Sequence, residues 1–481
     1  MALSSSSSSS RHQEQSIETL TPLLNSSQSE PSNHETSSDQ PNSNGTATLF
    51  SSIANLSNTI LGTGMLAMSH GFASAGIILG ILTVILSGLM SYFGLRLLSI
   101  CATHPKIPPR NSSFFEISKI TFPRISFLFD LAISIKCFGV SISYLLIFGK
   151  LMPQVILGFN SSTIDDHSII LDRRFWITIS MIILVPLSFL KTLNSLRYTS
   201  YIALIAVLDL LYVVIYKFCD RSGLKQRGEI DFVRFGEGFW TALPVYVFAY
   251  TCAQNVFSVH NELISNNSSR MKLVLRISIG SAALIYEVIG TLGYLTFGNN
   301  VSSNLISDYH NSKMISICRS AISLLVLFSY PLQLHPCRNS IEKVLNHFKF
   351  KPSHHLQVSS EDQEEEVGKD QRKEEEDVLR FVGITSSLLL GSFFIAVNLD
   401  RLETVLSFVG STGSTTISYI LPGIFFLKLF EEKSSEEEEQ TDLIVPLNRL
   451  KLMRFGAKCL VGVGFLIMFV CLSLNVKQAL K

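Results

Sequence analysis

The sequence predicts an all-α polytopic membrane protein with eleven transmembrane helices. Three observations carry that expectation. Of 481 residues, 47% are hydrophobic and 16% charged, against about 25% charged in soluble domains. Apolar runs of about 20 residues, long enough to cross a bilayer, recur along the chain. Much of the charge is confined to short segments between those runs. A net charge of +1 gives no reason to expect nucleic acid as a partner; the partner composition does imply is the lipid bilayer. The eight cysteines (101, 137, 219, 252, 318, 337, 459 and 471) contain no CxxC pair, so neither a zinc site nor a disulfide framework is expected. No Walker A pattern occurs, which leaves ATP drive unsupported. No enzyme, cofactor or metal is expected, and oligomeric state is not legible.

Residues 1–45 are polar and include an unbroken serine run from Ser4 to Ser10. Such a segment buries too little surface to offset its ordering entropy, and a disordered cytosolic tail is expected. Within it, Leu23-Leu24 after Glu18 approaches an acidic dileucine sorting signal. No cleavable signal peptide is expected at this end. A first repeat is expected over 46–218, with helices at 46–71, 77–100, 126–152, 175–190 and 196–217. A lumenal loop at 219–239 leads to a second repeat over 240–430. Its helices are 240–263, 273–297, 314–337, 378–399 and 404–430, with an acidic cytosolic loop at 338–377. A second acidic loop, 431–453, precedes a last helix at 454–476.

The first span is unusual chemistry for a membrane helix. Asn55, Ser57, Asn58 and Thr59 are followed by Gly62-Thr63-Gly64, and glycines with small polar residues are poor helix formers. Backbone that leaves the helix at membrane depth is tolerated only where it is buried or lines a cavity. A helix broken there opens its amides to a solute, which is how many secondary transporters build a site. The alternative is a continuous helix whose glycines permit close packing. The sixth span repeats the theme with Pro244 and a small, polar middle, Phe248-Ala-Tyr-Thr-Cys-Ala-Gln-Asn255, but lacks the double glycine. Two repeats of five spans are necessarily inverted relative to one another.

Basic residues in short loops set orientation. Lys106, Arg110, Lys119 and Arg124 follow span 2, Lys191 and Arg197 lie between spans 4 and 5, and Arg270, Lys272 and Arg276 between 6 and 7. With Arg338, Lys343, Lys349, Lys351, Arg449, Lys451 and Arg454 they put the N-terminus in the cytosol. The loop between spans 5 and 6 dissents, its five basic residues partly offset by Asp220, Glu229, Asp231 and Glu237. The sequons at Asn160 and Asn300 then fall on the lumenal side. Lys136, Asp209 and Glu287 lie within apolar helices, where charge is costly unless paired or wetted. A cross-helix salt bridge explains Lys136, with Asp209 a possible partner. Glu287 is the leading carboxylate for a proton relay, with Asp209 and His335 behind it. His260 and His335 also have an ordinary structural reading near helix ends.

These residues carry a resemblance. Asn55–Gly64, Lys136–Tyr144, Phe248–Phe257 with Asn261-Glu262-Leu263, Gly293–Gly298, Tyr330–Arg338, Phe408–Gly413 and Leu421-Pro-Gly423 occur in the expected order across residues 46–476. The chain resembles the amino acid/auxin permease family, in the branch of vacuolar amino acid transporters and sodium-coupled neutral amino acid transporters. The resemblance implies a leucine-transporter-like fold, a 5+5 inverted repeat plus one extra helix, and an amino acid substrate. It implies that Gly62, Thr63 and Gly64 hold the substrate carboxylate, that Phe248, Tyr250, Thr251 and Cys252 line the side-chain pocket, and that Asn58 and Ser329 correspond to positions near a coupling-ion site. Span 8 is poorer in threonine than in sodium-driven relatives, which weakens the case for sodium. Lys150 stands where relatives often carry an acid, and no role is transferred to it. The expected function is proton-coupled amino acid movement across the vacuolar membrane. A sodium-coupled plasma-membrane importer and an amino-acid-sensing receptor on the same fold are the alternatives.

Overall fold

The computed structural model describes residues 45–159, 168–190, 199–220, 227–348, 363–431 and 447–479. The N-terminal tail with Leu23-Leu24, the Asn160 sequon, Lys191, Arg197, Lys349, Lys351 and the acidic run Glu436 to Glu439 lie outside the described residues. Among the described residues the fold is all helical, with no strand beyond one isolated bridge between Ala47 and Leu263.

Fifteen α-helices are named here in chain order. They are α1 (Leu49–Ile60), α2 (Gly64–Ala75), α3 (Ile77–Cys101), α4 (Phe114–Thr121), α5 (Ser126–Phe159), α6 (Arg173–Ser188), α7 (Thr199–Cys219) and α8 (Glu237–Ala249). They continue with α9 (Ala253–Glu262), α10 (Ser268–Phe297), α11 (Lys313–Phe348), α12 (Gln363–Asn398), α13 (Leu402–Val409), α14 (Leu421–Leu429) and α15 (Leu447–Ala479). Among the described residues six segments are long and apolar enough to cross a membrane: Ile77–Cys101, Ser126–Phe159, Ser268–Asn300, Lys313–Phe348, Glu376–Asn398 and Arg449–Gln478.

Local chemistry starts these helices. Thr48 accepts from the Ser51 amide at 3.2 Å, Asp172 from Arg174 at 2.9 Å and Asn267 from Arg270 at 2.8 Å, each a side-chain N-cap. Ser113 caps Glu116 at 3.1 Å in a Ser-x-x-Glu sequence. Gly76 ends α2 at φ +82°, where an added Cβ would stand 2.8 Å from the Phe232 carbonyl oxygen. Only glycine takes that turn and that approach without strain.

The stretch expected as an acidic loop at 338–377 is helical at both ends, with α11 running on to Phe348 and α12 starting inside it. Helix α12 begins at Gln363 and carries Glu374 to Asp377 within it. Glu376 pairs with Arg380 one turn on at 3.8 Å, a spacing that supports an exposed helix.

Between α13 and α14 the backbone widens into π-helical turns, Gly410–Ser414 and Thr416–Ile420. Helices α5 and α11 pack along one another, α10 crosses α1, α2 and α3, and α2 lies on α8. The interior they enclose is rich in tyrosine: Tyr246, Tyr250, Tyr286, Tyr294, Tyr330 and Tyr419 are fully buried. Outward faces carry Leu82 and Leu86 of α3, Leu208 of α7, Phe394 of α12 and Phe469 of α15, all exposed. Exposed apolar faces on helices of this length suit lipid.

Candidate functional site

Two helices break opposite each other. The first turns out of α-geometry after Ile60, where Leu61 N–H donates to Ser57 at 2.8 Å and Gly62 N–H to Ile60 at 2.8 Å. Helix then resumes at Gly64. The Thr63 amide, between the two helices, donates to no carbonyl among the described residues, and Gly64 opens the first turn of α2, whose amides have no partner within their own helix. The second break lies between Ala249 and Ala253, with Thr251 N–H bonded back to Phe248 at 3.0 Å. The Cys252 amide is likewise without a carbonyl acceptor among the described residues, and Ala253 and Gln254 stand in the first turn of α9.

The helix ends facing these amides are closed. The Tyr286 hydroxyl of α10 stands 2.6 Å from the Ile60 carbonyl oxygen and 2.9 Å from that of Ala249. Ser91 of α3 donates to the Tyr250 carbonyl at 3.0 Å. Carbonyls at the two C-terminal ends therefore have donors, while amides at the two N-terminal ends stay open. A helix C-terminus carries partial negative charge and an N-terminus partial positive charge. With the negative ends capped, the gap favours an anionic group such as a carboxylate.

Glycine is required at the crossing. A Cβ on Gly64 would stand 2.8 Å from both Cα and Cβ of Ala249, so the two broken segments touch backbone to backbone. Asn255 of α9 donates to Thr59 of α1 at 2.7 Å, tying the breaks on the other side. Thr63 Oγ1 and both amide atoms of Gln254 are buried without partners.

Other elements supply the walls. Phe248, Tyr250, Thr251 and Cys252 are all buried. Thr251 Oγ1 donates to the Val247 carbonyl at 2.9 Å and lies 3.4 Å from Ser418 Oγ of the second π-turn. The Tyr144 hydroxyl of α5 would lie 3.6 Å from a Cβ on Gly62 and bonds to Ser329 and Gln333 of α11. Lys136 Nζ donates to Gln333 Oε1 at 3.2 Å. Asn58, half-buried near the end of α1, is already engaged.

The structure thus brings Gly62, Thr63, Gly64, Phe248, Tyr250, Thr251, Cys252 and Ser329 into one neighbourhood. It separates others. Lys136 takes Gln333 rather than the Asp209 carboxylate, because α7 carries Asp209 to the Cys318 thiol on another part of α11. His335 has Asn339 of the following turn as a neighbour at 3.5 Å, and buried His260 is bonded by Asn266 at 3.2 Å. Glu287, half-buried beside Tyr286, leaves Oε1 without a partner. Tyr286 and Ser91 were not legible as site residues in the sequence. The only signal for Tyr286 was a phenol in an apolar helix, which must find an acceptor. Among the described residues no metal-binding cluster of His, Cys, Asp or Glu occurs.

A cavity of about 610 Å³ opens beside α2 and α8, lined by His70, Gly71, Val245, Asp400, Arg401 and Glu403 among others. Arg173 braces the loop at its rim, donating to Val397 at 2.9 Å and Leu399 at 2.6 Å and pairing with Asp400 at 2.6 Å.

Opposed helix breaks with open amides, buried inside a helical membrane protein, define a solute-binding membrane protein of the broken-helix kind. The chain belongs to the transmembrane amino acid transporter protein family, whose model matches residues 45–467. It is similar to vacuolar amino acid transporter 5 of Schizosaccharomyces pombe, 38% identical over 439 residues that cover 90% of this chain and 96% of that protein. Vacuolar amino acid transporter 5 of Saccharomyces cerevisiae is 36% identical over 453 residues, covering 88% of this chain and 96% of its own. Vacuolar amino acid transporter 6 of the same yeast is 34% identical over 462 residues, covering 90% and 99%.

Proposed function

We propose that this protein is a secondary active transporter, not an enzyme, that moves amino acids across the vacuolar membrane, coupled to protons. One observation carries the reading: each break leaves an amide outside the helices, Thr63 in the first and Cys252 in the second, with no carbonyl partner among the described residues, while the carbonyls that end the preceding helices receive donors from Tyr286 and Ser91. A substrate carboxylate accepts from the amides at Thr63 and Gly64, while Gly62, whose own N–H is bonded to Ile60, shapes the turn that presents them. The substrate side chain lies against Phe248, Tyr250, Thr251 and Cys252, and Asn58 borders the pocket. The names of the similar yeast proteins support amino acids as substrate and the vacuole as location.

In this reading the fold is a 5+5 inverted repeat with eleven spans. The first repeat is α1 with α2, then α3, α5, α6 and α7. The second is α8 with α9, then α10, α11, α12, and α13 with α14; α15 is the extra helix. The Leu49 end of α1 is cytosolic, and the turn at Asn300 faces the lumen. Glu287 carries the coupling proton, with Asp209, Ser329 and His335 as the other candidate coupling residues. Sodium is the alternative ion.

Uptake of a radiolabelled mixture of the twenty L-amino acids into vesicles with an imposed pH gradient tests the reading. Accumulation that collapses with the gradient and ignores sodium replacement is expected. Binding without accumulation would make the protein a sensor, and accumulation that follows sodium would replace the ion.

A further inference from the structure

Besides Thr63 and Gln254, three polar groups near the breaks have a buried atom without a partner. They are Glu287 Oε1 and the hydroxyls of Tyr246 and Tyr250. Both tyrosines are 0% exposed and stand four residues apart at the end of α8, on one face. Leaving one buried polar group unpaired costs about 1–3 kcal/mol. Three in one core would cancel a large share of a domain's net stability of about 5–15 kcal/mol. Native interiors resolve such clusters with internal water or ions.

The packing around them is cut back to suit. The Tyr246 hydroxyl lies against Gly71 of α2, where an added Cβ would be 2.8 Å away. The Tyr250 hydroxyl lies against Gly88 of α3, where a Cβ would be 3.3 Å away. Glu287 bears electrostatically on both tyrosines, and the ring of its neighbour Tyr286 is 5.1 Å from that of Tyr250. The other titratable group bearing on Tyr250 is Tyr419. No salt bridge of Glu287 to a cation occurs among the described residues. Gly71, behind Tyr246, also lines the 610 Å³ cavity.

We propose that Glu287, Tyr246 and Tyr250 enclose a hydrated proton-binding chamber reached from that cavity past Gly71. The inference deepens the proton-coupled reading and rests on it. Hydronium in the cavity yields its proton to chamber water; the Glu287 carboxylate takes it at Oε1 and becomes a neutral acid, and water is returned. The hydroxyls of Tyr246 and Tyr250 hold the water that makes the transfer. They act through Glu287, as positioning residues. In the orientation proposed above the cavity faces the lumen, so the proton enters from the acidic side.

The test uses the full chain in proteoliposomes, with pH-driven accumulation and exchange of a radiolabelled mixture of the twenty L-amino acids measured across a range of pH. In Tyr246→Phe the ratio of accumulation to exchange should fall about tenfold, the worth of one hydrogen bond, and the pH dependence of accumulation should flatten. A Tyr246→Phe protein with the parent's ratio and pH profile, while Glu287→Gln has lost accumulation, overturns the chamber and leaves the proton reading standing. Parent-like accumulation by Glu287→Gln overturns both. A second measurement needs no substitution. Hydroxyl-radical footprinting of the parent protein should label Tyr246 well above Tyr330, which is fully buried and bonded to Ser392 at 2.6 Å. Equal, background labelling of the two overturns the chamber.

Discussion

The Tyr286 hydroxyl lies 2.6 Å from the carbonyl oxygen of Ile60, 226 residues away in sequence. Because the same hydroxyl reaches Ala249 at 2.9 Å, one side chain of α10 holds the free ends of both broken helices. Any motion that parts α1 from α8 must break at least one of these contacts.

Tyr286→Phe removes the donor at the buried Ala249 carbonyl, while Ile60 keeps the Gly62 N–H at 2.8 Å. A destabilisation of about 1–3 kcal/mol is expected, together with slower substrate exchange. Thermal unfolding in detergent and counterflow in vesicles measure the two effects. A variant that melts and exchanges like the parent would show that the contact has no part in either.

Gly64→Val puts branched bulk where even a Cβ would be 2.8 Å from the Ala249 backbone. Overpacking of this kind costs about 1–3 kcal/mol in a well-packed core, and here it forces the two breaks apart. Transport should be abolished while the protein still inserts in the membrane. Normal uptake by well-expressed Gly64→Val protein would remove the site from this crossing.

At the opposite end of the bundle, Arg110 closes α9 against the segment before α1. Its guanidinium donates to Asn261 at 2.7 Å and Leu263 at 3.2 Å. Ala47 meanwhile bonds Glu262 and Ile264, each at 2.9 Å. Arg110→Ala should cost about 1.5–3 kcal/mol, the range for hydrogen bonds to a charged group. Limited proteolysis should then cut residues 45–48 faster than in the parent; equal cutting rates would mean that the bridge holds without Arg110.

The proposed topology exposes the start of α12 to the cytosol and Asn300 to the lumen. Protease added to sealed vesicles with the cytosolic face outward should cleave near Glu364, and glycosylation introduced at Asn300 should resist external glycosidase. Protection of the Glu364 region would invert the orientation.

Glu287→Gln mimics the neutral acid and cannot release a proton. A tenfold proton gradient supplies about 1.36 kcal/mol and 100 mV about 2.3 kcal/mol per charge. One proton therefore suffices for more than a tenfold amino acid gradient, and its loss should be visible. The variant is expected to retain exchange and lose pH-driven accumulation. Undiminished accumulation would make Glu287 structural and turn attention to Asp209 or His335.

The chain by itself determined its class. Long apolar runs, the glycines and small polar residues at Asn58 to Gly64, and the polar middle of Phe248 to Asn255 are neighbours in sequence, and their effect on a helix in lipid is local. Family membership was legible for the same reason, in short motifs kept in order. Only the tertiary structure decided what those breaks face. That Tyr286 and Ser91 cap the carbonyl ends and that Lys136 takes Gln333 and not Asp209 are contacts between helices far apart in the chain. A buried polar group has to find a partner somewhere, but which partner depends on the rotation and depth of each helix in the bundle, and packing sets those.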